Sequence, residues 1–227
     1  MVAGAQGGGY ALSIWMPTYL RTVRGLSSIS TGGFLIVQIL GALVGFLIGS
    51  YLADYIGRKG TFVWSAAASF VMVLVFLLVP MDNTALFWLG IPLNIVLLMK
   101  FPPMGPFMTE LYPTEIRGTG QGFCYNAGRA AGSLFPTMVG YLSQVQSLGI
   151  SIAICSATAF GLMIVTLLLL PETHGRSLAT LETAGGRRSI VVACLFAELT
   201  ISAMADLALS FLTVVPATFR EWRRPSG

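Results

Sequence analysis

Two cations interrupt the apolar stretches of this 227-residue chain, Lys100 and Arg129. A charge inside a membrane span is expensive, and its presence is a functional hypothesis by default. Lys100 lies ten residues before Glu110 and Arg129 twelve after Arg117, which on helices is ~15 Å and ~18 Å from the same end. Antiparallel neighbours would carry both cations near the membrane midplane, and the ligand they suit is an anion. Arg129 offers a carboxylate a forked hydrogen-bond pair, whereas Lys100 is a point charge. Gly122, Asn126, Arg129 and Ser133 follow at offsets of four, three and four and so share one helical face. That face suits the wall of a polar cavity, and Tyr125, beside Asn126, suits stacking on or hydrogen bonding to a ring-bearing solute. Plainer roles exist for both cations. Arg129 could pair with a carboxylate outside this sequence. Lys100 precedes FPPMGP, where Pro102, Pro103, Gly105 and Pro106 break a helix, and could serve the carbonyls freed there.

Other chemistries find no residues to carry them. The single histidine, His174, has no zinc-ligand partner, and neither a nucleophile elbow nor a phosphate-binding glycine loop is present. Cys124, Cys155 and Cys194 lie in apolar stretches without metal-ligand spacing, so reduced buried thiols are expected. The chain is therefore expected to be no enzyme and to need neither cofactor nor metal. Its net charge of +4 does not indicate nucleic acid, because the basic residues sit in short segments between apolar runs without interleaved aromatics.

The elements that must position these side chains are membrane helices. Hydrophobic residues make up 55% of the chain and charged residues 10%, against roughly 25% charge in a soluble domain. The apolar runs approach the ~20 residues that cross a bilayer core. Residues 7–20, 32–53, 61–80, 85–109, 121–142 and 149–170 give six spans joined by short loops, an all-α membrane protein built as a six-helix transmembrane bundle. The first, at fourteen residues, reaches only ~21 Å and reads as a helix lacking its beginning. No removable signal peptide is evident. Gly41, Gly45 and Gly49 recur every four residues, a surface for close helix packing or sliding, and Gln38 and Asn94 are expected to hydrogen-bond between helices. Arg58, Lys59, Arg117, Arg176, Arg187 and Arg188 occupy alternate loops while MDNTA and SQVQS carry no base. By the positive-inside rule the loops with Arg58, Arg117 and Arg176 face the cytoplasm, with Arg21 and Arg24 against the bias. Residues 183–227 form a tail of different texture, in which Glu198 and Asp206 disfavour a seventh span. An interfacial helix and a segment foreign to the rest, from readthrough or a changed reading frame, remain alternatives.

Three loop signatures carry a resemblance. YLADYIGRKG, residues 51–60, places Asp54, Gly57, Arg58 and Lys59 in a tight turn after the second span. MTELYPTEIRGTGQGF, residues 108–123, sets Glu110 and Arg117 seven apart. LPETHGRSL, residues 170–178, closes the sixth span. In this order the chain resembles the C-terminal half of the major facilitator superfamily, in its organic-acid and sugar-porter branches, with residues 1–182 as helices seven to twelve. Ser50 and Tyr55 depart from the usual pattern of the first signature. The resemblance implies that Asp54, Arg58, Glu110, Arg117 and Glu172 form an inner gate of ion pairs.

It also implies secondary transport across the cell membrane of a small organic anion, such as an aromatic or sugar acid, coupled to protons. Arg129, Asn126, Tyr125, Lys100 and Ser133 would be the substrate-binding residues. Within the spans only cations are found, so the main proton acceptor is expected in a missing N-terminal half or another chain. A neutral-sugar porter and a truncated, non-transporting membrane fragment are the alternatives.

Overall fold

The computed structural model describes residues 1–169 except Pro113. Glu172, Arg176, the closing signature and the tail 183–227 lie outside the described residues. Among the described residues the regular structure is helical, and eight helices build the six spans.

The first span is α1, Val2–Thr22, at 21 residues. It is about 31 Å long, so the expectation of a short first helix is corrected. Glycine is a poor helix former, which made the first residues look like a loop, but here glycines admit neighbours. A Cβ on Gly4 would stand 2.5 Å from the Ala159 carbonyl oxygen, and one on Gly8 would stand 2.5 Å from the Phe160 ring.

α2, Ser28–Tyr55, starts at an N-cap where the Ser27 hydroxyl accepts from the Ser30 N–H at 3.2 Å. The chain then reverses through Gly57, whose φ of 87° only glycine adopts freely, and α3, Arg58–Leu78, follows at once. Asp54 was expected in the ion pairs of a gate. Among the described residues it pairs with no base: it is exposed at the end of α2, and the N-cap of α3 is Gly57 without a side-chain bond.

The fourth span is broken, as FPPMGP requires. α4, Asn83–Leu98, and α5, Met104–Leu111, flank a turn in which the Phe101 N–H reaches back to the Leu98 carbonyl. Pro102 and Pro103 have no N–H to continue the ladder, while Pro106 sits in the first turn of α5, where none is needed. The fifth span, expected as one helix, is also two: α6, Arg117–Gly132, and α7, Leu134–Leu142, meet at Ser133. The cause is Pro136, which cannot donate to Gly132 four residues earlier and whose ring crowds that carbonyl. α8, Leu148–Leu169, closes the described chain, its start capped by a bond from the Ile150 N–H to the Ser147 hydroxyl at 3.4 Å.

α1 lies between α8 on one side and α6 and α7 on the other, α8 also packs along α3, and α2 packs chiefly on α4. Gly41, Gly45 and Gly49 do form a close surface. They face Ile91, Ile95 and Met99 of α4, whose own four-residue spacing matches theirs. A Cβ on Gly45 would lie 2.8 Å from the Ile95 Cα. The polar residues beside this seam differ from expectation. Asn94 donates to the Gly90 carbonyl of its own helix at 3.0 Å, and the buried Gln38 Nε2 has no partner among the described residues. Gly41 lets the α2 and α4 backbones approach so closely that intrahelical bonding suits the Asn94 amide.

Two apolar clusters form the core, one around Leu12, Met16, Phe34, Phe76 and Leu86, the other around Phe62, Phe107, Met163 and Leu167. The outward face of α2 exposes Ile36, Ile39, Leu43 and Leu47, and that of α3 exposes Trp64 and Val71. These apolar faces have no partner among the described residues. At the end where α1 meets α2, Arg24 donates to the Tyr19 hydroxyl at 3.2 Å and the Met81 carbonyl at 2.9 Å, and Arg21 donates to the Ser28 hydroxyl. Both bases that oppose the charge bias are thus held by structural bonds.

Candidate functional site

α6 is the polar helix of the bundle. Gly128 packs on Val2 and Ala3, and Gly132 on Gln6, where a Cβ would meet the Gln6 Cβ at 2.9 Å. These glycines bring α6 backbone to backbone with α1, and the opposite face stays open. Asn126, Arg129 and Ser133 are exposed on it together, and nothing approaches within 4 Å of a Cβ built on Gly122. The Asn126 amide donates to the Gly122 carbonyl at 2.8 Å and the Ser133 hydroxyl to the Ala130 carbonyl at 2.7 Å. Both side chains are held against the helix by these donated bonds, and their residues remain exposed. Arg129 makes no ion pair or hydrogen bond among the described residues. Its five donors can therefore clasp an oxyanion presented to the face.

Tyr125 stands apart from this stripe. Its ring packs with the cluster of Phe62 and Met163, and its hydroxyl accepts from Gln6 Nε2 at 3.2 Å. Gln6, only 4% exposed, is a polar residue that sequence reasoning passed over, because the hydropathy of the first span was counted from residue 7. Thr119, exposed and seven residues before Asn126, extends the stripe at the same helical period and was legible by the same rule.

Lys100 is elsewhere. It is 0% exposed, and its ammonium lies 4.2 Å from the centre of the Phe160 ring and 5.8 Å from that of Phe101. Its ammonium makes no hydrogen bond among the described residues, so the carbonyls freed at the break do not receive it. The structure does not join Lys100 and Arg129 on one face. Lys100 follows Leu86, Leu93 and Leu97 at helical spacing, all buried, and thus continues the core side of α4.

At the opposite end of the bundle from Arg24, Arg58 pairs with Glu110, their side chains 25% and 16% exposed. The second oxygen of Glu110 is buried without a partner among the described residues. Arg117 donates to the Tyr112 carbonyl at 3.4 Å rather than to Glu110, and the Tyr112 hydroxyl lies 2.7 Å from the Cys124 sulfur. Of the five residues expected in a gate, the structure brings two together. Asp54 points to solvent, Arg117 braces the loop between α5 and α6, and Glu172 lies outside the described residues.

Comparison with known proteins bears on this geometry. The family model described as Major Facilitator Superfamily matches residues 1–136. The chain is 31% identical over 186 residues to a protein of Cupriavidus pinatubonensis named a probable 4-methylmuconolactone transporter, covering 81% of this chain and 43% of that one. It is 28% identical over 169 residues to the cis,cis-muconate transport protein of Acinetobacter baylyi, covering 74% and 40%. It is 26% identical over 162 residues to the sialic acid transporter NanX of Escherichia coli, covering 70% and 39%. The chain thus spans about two fifths of the length of these curated relatives. No solved structure matches it significantly. All-helical, with spans of membrane length and a family match over more than half its residues, the chain belongs to the Major Facilitator Superfamily.

Proposed function

We propose that this chain serves as the C-terminal half of a carrier that moves a small organic anion across the cell membrane together with protons. The observation that carries the reading is the exposed, unpaired Arg129 with Asn126 and Ser133 on one face of α6. Facing hydrocarbon, an arginine at mid-span costs ~2.5 to 3.5 kcal/mol on insertion scales. Such a face belongs against a water-filled cavity, where a guanidinium recognises carboxylate. Relatives named for muconate, a methylmuconolactone and sialic acid support an organic acid as the solute. Carriers of this kind hold the solute between two bundles that rock about it, so a second six-helix body would complete the cavity. Away from their ends, where Asp54 and Glu110 lie, the described spans hold only cations, and the coupling proton belongs on a carboxylate of that second body. The Arg58–Glu110 pair sits where an inner gate would close, on the side assigned to the cytoplasm by its bases.

The test is binding of labelled cis,cis-muconate to the chain in nanodiscs. Saturable binding that Arg129→Ala abolishes, while Arg129→Lys retains a weakened fraction, supports the assignment. Binding that survives Arg129→Ala unchanged overturns it.

A further inference from the structure

We propose that Gln6 sets the solute specificity of the α6 face, by fixing the Tyr125 phenol as a hydrogen-bond donor that selects acids carrying a second acceptor oxygen. The inference rests on Arg129 as the carboxylate site.

Gln6 is nearly sealed where α1 meets α6: a Cβ on Gly132 would stand 2.9 Å from its own Cβ, and its side chain reaches Tyr125. Its Nε2–H donates to the phenol oxygen at 3.2 Å. An amide nitrogen has protons to give and no lone pair to offer, so in this contact the phenol is the acceptor. The phenol proton is then free to be donated, and it has no acceptor among the described residues. Tyr125 is only half-buried, and, four residues from the exposed Arg129, it borders the open face rather than lying on it.

Tyr125 precedes Arg129 by four residues, one turn along the same helix, which separates the two side chains at their roots by roughly 5–6 Å. A solute whose carboxylate is clasped by Arg129 therefore meets a second donor about one helical turn away. A carboxylate, ketone or lactone carbonyl at that distance accepts the bond. A methyl group there displaces the water that would otherwise accept from the phenol and offers no acceptor in its place, so a solute of that kind is disfavoured by the loss of a hydrogen bond. The preferred class is accordingly a compact dicarboxylate or oxo-acid rather than a simple monocarboxylate. The position of Gln6 one helix away makes it a positioning residue, acting through Tyr125.

The experiment compares adipate with hexanoate, which differ by a carboxylate in place of the terminal methyl group, binding to the chain in nanodiscs. The wild type should bind adipate about tenfold or more tightly than hexanoate, the value of one hydrogen bond to a charged acceptor. Tyr125→Phe should bring the two within about twofold of each other by weakening adipate alone. Gln6→Glu, an acceptor that captures the phenol proton, should do the same while hexanoate affinity stays at its wild-type value, which also certifies the fold. Gln6→Leu, isosteric and apolar, should give an intermediate preference. Equal wild-type binding of the two acids overturns the inference while leaving Arg129 in place. So does a preference that survives Gln6→Glu, the result expected if the amide oxygen already takes the phenol proton. Binding of neither acid, or binding that persists in Arg129→Ala, overturns the carboxylate site and this inference with it.

Discussion

An ammonium with no acceptor in reach is held in Lys100 by little besides the face of Phe160, an interaction of about 0.5–2 kcal/mol. Replacing a buried polar group that lacks its bonds by an apolar one of similar shape is neutral or stabilising. Lys100→Met should therefore stabilise the chain in detergent by about 1–3 kcal/mol, read as a raised thermal midpoint. A lowered midpoint would show that the ammonium has a partner, and a loss of muconate binding would return it to the solute site. The opposite holds for Glu110, whose carboxylate meets Arg58. Glu110→Ala should destabilise by ~1.5–3 kcal/mol, the range for a hydrogen bond to a charged group, and an Arg58→Glu, Glu110→Arg exchange should recover most of it. These residues also mark what the sequence could tell. Arg129, Asn126 and Ser133 sit together because helical spacing alone decides which side chains share a face. Lys100 followed the same rule, and its companions Leu86 and Leu93 already declared the core side of α4, but its charge drew more weight than its register. The Gln6–Tyr125 bond spans 119 residues, and nothing local announces it.

Glycines do two different jobs among these helices, and substitution separates them. At Gly45 an added methyl meets the backbone of Ile95, which cannot turn aside, so Gly45→Ala should loosen α2 from α4 and lower the thermal midpoint. At Gly33, in the same helix, a Cβ meets nothing within 4 Å, and Gly33→Ala should stabilise by ~0.5–1 kcal/mol through helix propensity and a less free unfolded chain. If both substitutions act in the same direction, the seam is not packed as described. The four-residue spacing of Gly41, Gly45 and Gly49 was legible because it repeats, and the break before α5 because prolines cluster there. The bend at Ser133 comes from the single Pro136, which hydropathy counts as one more apolar position. The extent of α1 was hidden for a related reason. Glycine lowers local helix propensity, and the gain that offsets it lies in contacts with Phe160 and Ala159, far along the chain.

The molecule as a whole has two unlike ends. One carries the clamp of Arg24 on Tyr19 and Met81, the other the Arg58–Glu110 pair and the loop braced by Arg117. With all three native cysteines replaced by serine, Gln144→Cys should react with a membrane-impermeant maleimide in intact cells, whereas Glu115→Cys should react only after permeabilisation. Both positions are exposed, so the reverse pattern would invert the proposed orientation. Hydropathy and loop charge were enough to count six spans and separate their ends. They could not say which helices are neighbours, because that depends on shape at the contacts. One adjacency has a temporal meaning. Among the described helices α1 leaves the ribosome before the others, yet its glycine-lined side fits α8, which follows them, with α6 and α7 just before it. Until α8 emerges, α1, with four glycines of its own, waits without those partners. A chaperone or insertase that shelters α1 meanwhile would govern how much of the protein matures.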